Sequence, residues 1–483
     1  MRGKPYETAG NGGVVTDRDV VDRVRALLDE DGKFLPVLGG RGEGVLTGIG
    51  TVAGRWVAVW ANDPSERAGA LTSQGMRKVL RLTDLAVRSG MPIVYLADSS
   101  GAALQEGPAS LIAVGEVYRA LIKASRRVPR LAAVLGGCVG GGVFFAASSD
   151  VVVGNLSGGY AFVSGPRAAR FFTGEEVDVQ ELGNIRNSFS AGTVQLVGED
   201  EVSCLRVLRR VLGYLPSTTS EVPPRTGGWS PPSSRPEVPG GEDEPYDVRD
   251  VIAALVDEGS FIELDAGHGE AAVVGLSRIA GEVVGVVANQ PSERGGLIDS
   301  RSAEKMARFV SLCDRFNIPL LTLVDTPGFL PSRSEELSGL PRHGSKLLHA
   351  YAVSEVPKVA VILRRAYAGG YVSMCSRGIG ADYVMGLPNA IVAVQPPRLA
   401  AEIIHRRELE RADPSAREEL LRRLSEDYER TFRGKEALIA NGVVDEVVEP
   451  GALRERIVGV MGALVESYRK RLKNRSKFYF IPY

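Results

Sequence analysis

The chain contains two stretches in which apolar and polar residues follow the same order. Each has a short apolar run, then a segment with apolar residues at helical spacing, then a second continuous apolar run. In the first stretch these segments are GRWVAVWAN (54–62), MRKVLRLTDLAVRSG (76–90) and MPIVYLADS (91–99), and in the second they are GEVVGVVAN (281–289), AEKMARFVSLCDRFN (303–317) and IPLLTLVDT (318–326). The pattern predicts strand, helix, strand in both. Continuous apolar strands joined by helices indicate a mostly parallel sheet that is covered on both faces.

The two stretches are copies of one another. Residues 61–101 align without a gap to residues 288–328, and 16 of the 41 paired residues are identical. A further apolar strand follows in each half, PRLAAVL (129–135) and PKVAVIL (357–363). The sequence therefore predicts a duplicated α/β domain.

A segment rich in Pro, Gly and Ser separates the copies. Residues 216–246 carry almost no aliphatic side chains and cannot bury enough apolar surface to hold a fold of their own. We therefore expect an N-terminal domain at residues 15–215, a linker at residues 216–246 and a C-terminal domain at residues 247–483.

Composition and charge narrow the function classes. The 483-residue chain is 44% hydrophobic with a formal net charge of -1, so nothing in its charge favours nucleic acid or an anionic membrane as a partner. No apolar run reaches the length of a membrane span, and the first residues lack the apolar core of a signal peptide. The four cysteines are far apart and match neither a disulfide framework nor a metal motif. These features predict a cytoplasmic protein with reduced thiols and no metal.

Adjacent glycines follow the third strand of each half, in CVGGGVFF (138–145) and AYAGGYVS (366–373). Glycines permit tight turns and close packing. Adjacent backbone N–H groups at a helix start can also hold an oxygen that becomes negative during a reaction. Because the feature recurs in both halves, we expect two such sites, one for each of two reactants.

Other polar residues have simpler interpretations. Asp98 and Asp325 end the second strand of each repeat, where we expect them to cap the start of a helix. His343 and His349 lie on or before a predicted helix, in capping or surface positions. No Ser-His-Asp spacing stands out in the sequence.

The order of motifs resembles the carboxyltransferase (beta) subunits of biotin-dependent acyl-CoA carboxylases, the propionyl-CoA and acetyl-CoA carboxylase family. The segments that carry the resemblance are DSSGAALQEG (98–107), GGCVGGGVF (136–144), SRIAGEVVGVVANQP (277–291), FNIPLLTLVDTPGFLPS (316–332), RHGSKLLHAYAVSEVPKVAVILRRAYAGGY (342–371) and RGKEALIANGVVDEVVEP (433–450). The resemblance implies two crotonase-like (ClpP/crotonase) domains built from ββα units. It also implies an active site between the N-domain of one subunit and the C-domain of another.

The resemblance implies a role for individual residues. In the family, the N-domain glycine pair holds the thioester carbonyl of the acyl-CoA, and the C-domain pair holds the ureido oxygen of biotin. The implied catalytic residues are Gly140, Gly141, Gly369 and Gly370, the substrate-binding residues are Ser100, Gly101, Ala102, Tyr371 and Val372, and the biotin-binding residues are Pro327, Gly328 and Phe329.

The resemblance also implies the cofactor and the partners. The sequence shows no MKM biotinylation motif and no obvious ATP-binding carboxylase domain, so carboxybiotin is expected on a separate carrier protein served by a biotin carboxylase, or on a fused alpha subunit. Acyl-CoA is the implied second substrate. No side-chain base is needed, because in the family the biotin ureido group takes the α-proton. Since each site needs two subunits, a homo-hexamer, a trimer of dimers, is expected.

Three features near the implied site depart from the family's pattern. Ala103 stands where the family has arginine, QPPRLA (395–400) replaces a segment MGAxGA, and Val372 occupies a position that helps to distinguish acetyl from propionyl chains. The valine favours a nonstandard acyl group.

Two alternative functions stay open from the sequence. One is a biotin-independent decarboxylase of malonyl-type thioesters with the same fold, and the other is a non-catalytic scaffold subunit. The retained ANQP and VDTPGFLP segments favour a working biotin side over the first alternative. The two glycine pairs favour catalysis over the second.

Overall fold

A computed structural model of the chain describes residues 19–241 and 243–472. The ends of the two expected domains, residues 15–18 and 473–483, lie outside these ranges. Within the described part, each half of the chain forms one eight-stranded sheet.

The first sheet contains strands β1 to β8. Its strands are Leu35–Gly42 (β1), Val45–Val52 (β2), Arg55–Asn62 (β3), Ile93–Ser99 (β4), Arg130–Val139 (β5), Val151–Asn155 (β6), Tyr160–Phe162 (β7) and Leu196–Gly198 (β8). They lie in the order β1-β2-β3-β4-β5-β6-β8, and β7 pairs with the end of β5. Strands β1 to β3 pair antiparallel, whereas the pairs from β3 onward are parallel.

The second sheet repeats this arrangement. Its strands are Ile262–Leu264 (β9), Ala272–Ile279 (β10), Glu282–Asn289 (β11), Leu320–Thr326 (β12), Lys358–Tyr367 (β13), Tyr383–Gly386 (β14), Ile391–Ala393 (β15) and Glu446–Val447 (β16). The order is β9-β10-β11-β12-β13-β14-β16, and β15 pairs with the end of β13. The predicted duplication and the mostly parallel α/β sheets are confirmed.

Helices lie on both sheets. Those of the first half are Val20–Leu27 (α1), Ser73–Ser89 (α2), Pro108–Ala124 (α3), Gly141–Ala147 (α4), Pro166–Thr173 (α5), Val179–Gly183 (α6), Ile185–Ser190 (α7) and Glu201–Leu212 (α8). Those of the second half are Val248–Leu255 (α9), Ser300–Arg315 (α10), Arg333–Ser338 (α11), Leu340–Val353 (α12), Ala368–Ser373 (α13), Pro397–Ile404 (α14), Arg406–Arg411 (α15), Arg417–Phe432 (α16), Lys435–Ala440 (α17) and Leu453–Leu472 (α18). No helix in the described ranges is both long and apolar enough to cross a membrane.

Side-chain caps fix where the repeated helices begin. Thr72 Oγ1 accepts a hydrogen bond from the N–H of Gly75 (2.9 Å), and Asp299 Oδ1 accepts one from the N–H of Ser302 (2.7 Å). Each cap satisfies an N–H group that has no partner inside its helix. Helices α2 and α10 therefore start three residues before the apolar pattern that predicted them.

The sheets are buried on both faces, as their continuous apolar strands predicted. Along β3, Val57 and Val59 belong to one apolar cluster, and Ala58 and Trp60 belong to another on the opposite face. The first of these clusters continues into the second half, where it includes Phe316. The two halves therefore share a core.

A buried lysine has the same structural role in each half. Lys78 Nζ donates to the carbonyl oxygens of Gly40 (2.7 Å) and Gly42 (3.0 Å). Lys305 Nζ donates to the carbonyl oxygen of Ala272 (2.7 Å). Each lysine satisfies carbonyls at the antiparallel end of its sheet, which explains why it is identical in the two copies.

The segment between the halves is held against both of them. Between α8 and α9, the described residues 213–241 and 243–247 contain neither helix nor strand. The N–H of Thr219 donates to Arg127 O in the first half (2.9 Å), and the N–H of Thr226 donates to Gly281 O in the second (3.1 Å). The linker has no core of its own, but hydrogen bonds to its surroundings fix its path. The predicted boundaries at 215, 246 and 247 stay a prediction.

Candidate active site

The first glycine turn joins β5 to α4. Gly140 lies between them with φ 58 and ψ -122, a conformation open to glycine alone. Its N–H donates to Phe162 O on β7 (3.2 Å). The N–H groups of Gly141 and Gly142, in the first turn of α4, meet no acceptor among the described residues.

The second glycine turn joins β13 to α13. Here Ala368 follows the strand, at φ 50, and Gly369 and Gly370 come next. The N–H groups of both glycines are without an acceptor in residues 19–241 and 243–472. Two adjacent backbone donors are thus available at the same place in each half.

The structure corrects the pairing of the two turns. Strands β5 and β13 are both ten residues long, and each is followed at once by a residue with positive φ, Gly140 in one and Ala368 in the other. The counterpart of Gly369 and Gly370 is therefore Gly141 and Gly142. The N–H of Gly140 donates to Phe162 O, whereas the N–H of Gly142 has no acceptor in the described ranges. The assignment of Gly140 and Gly141 as catalytic residues stays a prediction, and Gly142 is a further candidate donor. If Arg130 is aligned with Lys358, Gly142 aligns with Gly370, so this alignment of the two halves identifies Gly142 from the sequence.

A third donor in each half comes from the loop after the second parallel strand. Leu71 pairs with Ala102 in an isolated parallel bridge, and Ile298 pairs with Phe329 in the same way. The residue after each bridge forms a backbone hydrogen bond. The N–H of Ala103 donates to Leu71 O (3.2 Å), and the N–H of Leu330 donates to Ile298 O (2.9 Å). The N–H groups of Ala102 and Phe329 have no acceptor in the described part of the chain.

The structure brings these loops against the glycine turns. A Cβ atom built on Gly101 would lie 3.3 Å from Val139 O, at the end of β5. In the second half, a Cβ atom on Gly370 would lie 2.8 Å from Gly328 Cα, and one on Gly369 would lie 3.3 Å from the ring of Phe329. Residues 100–102 and 327–329, predicted separately from 140–141 and 369–370, therefore meet at one edge of each sheet.

The remaining predicted site residues border the turns. Ser100 is exposed, and its N–H donates to Ala68 O (3.1 Å). Pro327 lies in the loop between β12 and α11. Tyr371 is half-buried, and burial raises the pKa of its phenol. Val372 is 41% exposed beside the second glycine pair.

Asp98 and Asp325 hold arginines and do not cap helices, contrary to expectation. Asp98 Oδ2 accepts from Arg23 Nη1 (2.7 Å). Asp325, whose side chain is fully buried, accepts from Arg364 Nε (2.9 Å) and Arg365 Nε (3.1 Å). The two carboxylates thus pin the strand ends that carry the 100–102 and 327–329 loops.

Two departures from the family's pattern have a structural basis. Ala103 is buried, and its N–H donates to both Leu71 O and Ser110 Oγ (3.1 Å), so its small side chain fits a closed position. In the 395–400 segment, Pro396 and Pro397 begin α14.

No cluster of three or more His, Cys, Asp or Glu side chains suited to a metal occurs in the described ranges. The four cysteines are all buried, and burial raises the pKa of Cys204 and Cys375 to about 12.

Comparisons with known proteins show the family of the chain. The carboxyl transferase domain family matches residues 36–478. The propionyl-CoA carboxylase carboxyltransferase subunit of Haloferax mediterranei is 39% identical over 436 residues, 89% of this chain and 84% of that protein. The propionyl-CoA carboxylase beta chain of Roseobacter denitrificans is 38% identical over 429 residues, 88% of this chain and 83% of that protein.

A solved structure shares the whole fold. The transcarboxylase 12S crystal structure with hydrolysed methylmalonyl-coenzyme A bound has a TM-score of 0.87 and 33% identity, over 96% of this chain and 92% of that one. The match confirms the crotonase-like architecture. The chain belongs to the carboxyl transferase domain family and is an enzyme, a carboxyltransferase subunit of the acyl-CoA carboxylase type.

Proposed function

We propose that the protein transfers a carboxyl group from carboxybiotin, attached to a separate carrier protein, to the α-carbon of an acyl-CoA. One observation carries the proposal: each half presents, at the same edge of its sheet, three backbone N–H groups that have no acceptor within residues 19–241 and 243–472. The two reactants each have one carbonyl oxygen that gains negative charge during transfer. Two sets of donors match two such oxygens.

In the first half, Ala102, Gly141 and Gly142 bind the thioester oxygen. Loss of the α-proton places negative charge on that oxygen, and fixed N–H donors stabilise it without reorganisation. Loss of one such donor typically costs about 3 kcal/mol of transition-state stabilisation. Gly101, at φ 96, turns the loop so that the Ala102 N–H meets no acceptor among the residues that the structure describes.

In the second half, Phe329, Gly369 and Gly370 fit a ureido oxygen. The space above Gly370 has no room for a Cβ atom next to Gly328, so bare backbone forms this part of the wall. Pro327 and Gly328 complete the biotin-facing loop. Bound carboxybiotin supplies the carboxyl group and the base that takes the α-proton. The chain's residues hold the two oxygens in place and contribute no side-chain base.

The acyl group proposed is one other than propionyl. Val372 follows the second glycine pair, and its counterpart in the first half, Phe144, is 50% exposed. Both present apolar surface beside the donors, where an acidic residue at position 372 would favour propionyl. We place Ser100, Gly101, Ala102, Tyr371 and Val372 around the acyl-CoA.

The protein is proposed to work as an oligomer with a biotin carboxylase and a biotin carboxyl carrier protein, or with a fused alpha subunit. Phe171 and Phe172 on α5 are each 81% exposed, and Ile403 and Ile404 on α14 are 60% and 62% exposed. Helices α5 and α14 follow the equivalent strands β7 and β15. Large exposed apolar side chains at equivalent places support a contact between subunits. The hexamer described for transcarboxylase 12S supports a hexamer here.

The proposed compartment is the cytoplasm. Four buried, unpaired thiols suit a reducing environment. The proposed domains are residues 15–215 and 247–483, joined by residues 216–246.

The proposal is tested with the purified chain, a biotin carboxylase and a biotinylated carrier. Labelled bicarbonate is supplied with ATP and a panel of acetyl-, propionyl- and longer acyl-CoAs, and label in the carboxylated thioester is counted. We expect incorporation that avidin abolishes. Absence of label across the whole panel would contradict the proposed reaction.

A matched pair of variants tests the glycine turn. Gly369→Val places methyl groups among the donors and against Phe329, and should lower the transfer rate at least about a hundredfold. Gly378→Val, on the exposed turn that follows α13, meets only Ser376 Oγ at 4.0 Å and should leave the rate unchanged. Equal rates for Gly369→Val and the unmodified chain would identify a non-catalytic subunit.

A further inference from the structure

A large cavity lies between the two halves of the chain. Its volume is about 530 Å³, within the range of small-molecule sites. The first half contributes Tyr118 and Ile122 from α3, Arg130 from β5, and Asp150. The second half contributes Asp265, His268 and the inward residues of α10 and α12, which are Glu304, Lys305, Arg308, Phe309, Leu312, Arg315 and Lys346.

This cavity is separate from the proposed transfer site. Arg130 is the first residue of β5, and the glycine turn begins after Val139, its last residue. Ten residues of strand span about 30 Å. The residues that line the cavity include none of the donors in the two glycine turns or in the loops at 100–102 and 327–329.

The lining has more positive than negative groups. It carries five Arg and Lys side chains and three carboxylates. Two of the carboxylates are already paired, Asp150 with Arg315 and Glu304 with Lys346 (2.8 Å). Asp265 is then the one remaining carboxylate of the lining, against three remaining cations, Arg130, Lys305 and Arg308. The excess of two positive charges favours a ligand with two negative charges.

Arg130 shows the imbalance most clearly. It is 3% exposed, and its guanidinium forms no ion pair with a carboxylate of the described residues. Burial lowers the pKa of Arg130 to about 10, Asp150 opposes this change, and the nearby Arg315 adds to it. Asp150 already stabilises these two guanidinium groups, and an anionic ligand beside Arg130 would add to that stabilisation.

Two buried polar atoms in the lining lack a hydrogen-bond partner in the described part of the chain. They are Nε of Arg130, a donor, and Oδ1 of Asp265, an acceptor. Asp265 is 7% exposed and has positive φ, 55, so its backbone is strained to hold this position. An unmade buried hydrogen bond costs about 1 to 3 kcal/mol, so a ligand that supplies both an acceptor and a donor would be stabilised.

We propose that this interdomain cavity binds a small organic dianion, a phosphate monoester or a dicarboxylate, that also carries a hydroxyl group. The anionic groups contact Arg130 and Arg308, and the hydroxyl donates to Asp265. Tyr118, Ile122, Phe309 and Leu312 supply apolar contact for the body of the ligand. Because both halves line the cavity, a bound ligand would connect the two halves of one chain.

Isothermal titration calorimetry of the full chain with two matched pairs of probes tests the proposal. Adenosine monophosphate and neutral adenosine form the phosphate arm, and malate and succinate, which lacks the hydroxyl, form the dicarboxylate arm. We expect one charged, hydroxylated probe to bind with Kd below about 1 mM. The other member of that pair should bind at least about tenfold more weakly. Adenosine lacks the negative charge, and succinate lacks the hydroxyl that donates to Asp265. No binding in either arm would overturn the proposal.

Variants assign any binding to this cavity. Arg308→Gln removes a half-buried cation whose hydrogen bond to Gly192 O is long (3.4 Å), and should weaken binding at least about tenfold. Asp265→Asn keeps the side-chain shape and should reduce the preference for malate over succinate. Arg301→Gln, an exposed change on the same helix, is the control and should bind as the unmodified chain does. Circular dichroism checks that each variant is folded. Equal affinity in Arg308→Gln and Arg301→Gln would place the ligand elsewhere and overturn the proposal.

Discussion

Gly140 and Ala368 occupy the same position in the two halves of the chain, and both have positive φ, 58 and 50. Each directly follows a ten-residue strand, and the two residues after it have N–H groups without an acceptor among the described residues. The turn has positive φ in both copies, although only one of them has glycine there.

Replacement of Ala368 by glycine should stabilise the protein. An L-residue at positive φ pays a steric cost that glycine avoids, partly offset by the greater freedom of glycine in the unfolded chain. We expect Ala368→Gly to raise the free energy of unfolding by about 0.5 to 1 kcal/mol. The matched change Gly140→Ala should lower it by about 1 to 3 kcal/mol. Urea denaturation measures both, and a loss of stability in Ala368→Gly would contradict the expected strain.

Gly370 and Gly142, which occupy equivalent positions in the two turns, should respond differently to a methyl side chain. A Cβ atom on Gly370 would lie 2.8 Å from the backbone of Gly328 and push the second turn away from the 327–329 loop. A Cβ atom on Gly142 meets only Tyr95 Oη at 3.3 Å and more distant atoms. We expect Gly370→Ala to lower kcat at least about tenfold and Gly142→Ala to lower it much less. The measurement is the carboxyl-transfer rate at saturating substrate, and similar losses in both variants would show that the close contact at Gly370 is unimportant.

Loss of the buried carboxylate at Asp325 should be costly. Asp325→Asn removes the carboxylate that Arg364 and Arg365 share, in a site where the three side chains are 0%, 2% and 7% exposed. Arg365 keeps a 3.4 Å ion pair with the exposed Asp243. Breaking a buried ion pair on one side costs about 3 to 5 kcal/mol. The counterpart Asp98 is 20% exposed and, in the described part of the chain, forms an ion pair with one arginine, Arg23, so Asp98→Asn should cost less than half as much. Guanidinium denaturation of both variants measures the difference, and equal costs would refute this ranking.

The stability of the protein should depend on pH through Lys305. Burial lowers the pKa of Lys305 to about 8 from its ordinary value of 10.5. Between these values the unfolded chain binds more protons than the folded chain. The contribution of Lys305 to the free energy of unfolding therefore increases as pH rises. At alkaline pH the gain approaches about 3 kcal/mol.

The variant Lys305→Met removes this titration. We expect the difference in free energy of unfolding between the unmodified chain and Lys305→Met to move in favour of the unmodified chain between about pH 7 and about pH 10. Denaturation curves of both proteins at the two pH values measure it. If the difference between the two proteins is the same at both pH values, Lys305 keeps its proton in the folded chain and its pKa is not lowered.

Much of the fold could be predicted because its signals are local. The apolar runs at 54–62 and 281–289 and the helical spacing at 76–90 and 303–317 depend on neighbouring residues only, and their repetition revealed the duplication. The glycine turns were found as adjacent glycines after the third strand of each half. The 100–102 and 327–329 loops were found by resemblance, since motif order survives in the sequence.

Only the tertiary structure decided which backbone groups are available. Gly140 and Gly141 are alike in sequence, but the N–H of Gly140 is engaged by Phe162, a residue on another strand. The arginines that hold Asp98 and Asp325 lie 75 and 39 residues away in the chain, which no local pattern specifies. The cavity between the halves is built from residues as far apart as Tyr118 and Lys346. The sequence by itself therefore determined the elements, their duplication and the place of the turns, because these follow from periodicity and chain stiffness. Packing over long sequence distances determined which donors are free, which charges are paired and where a ligand fits.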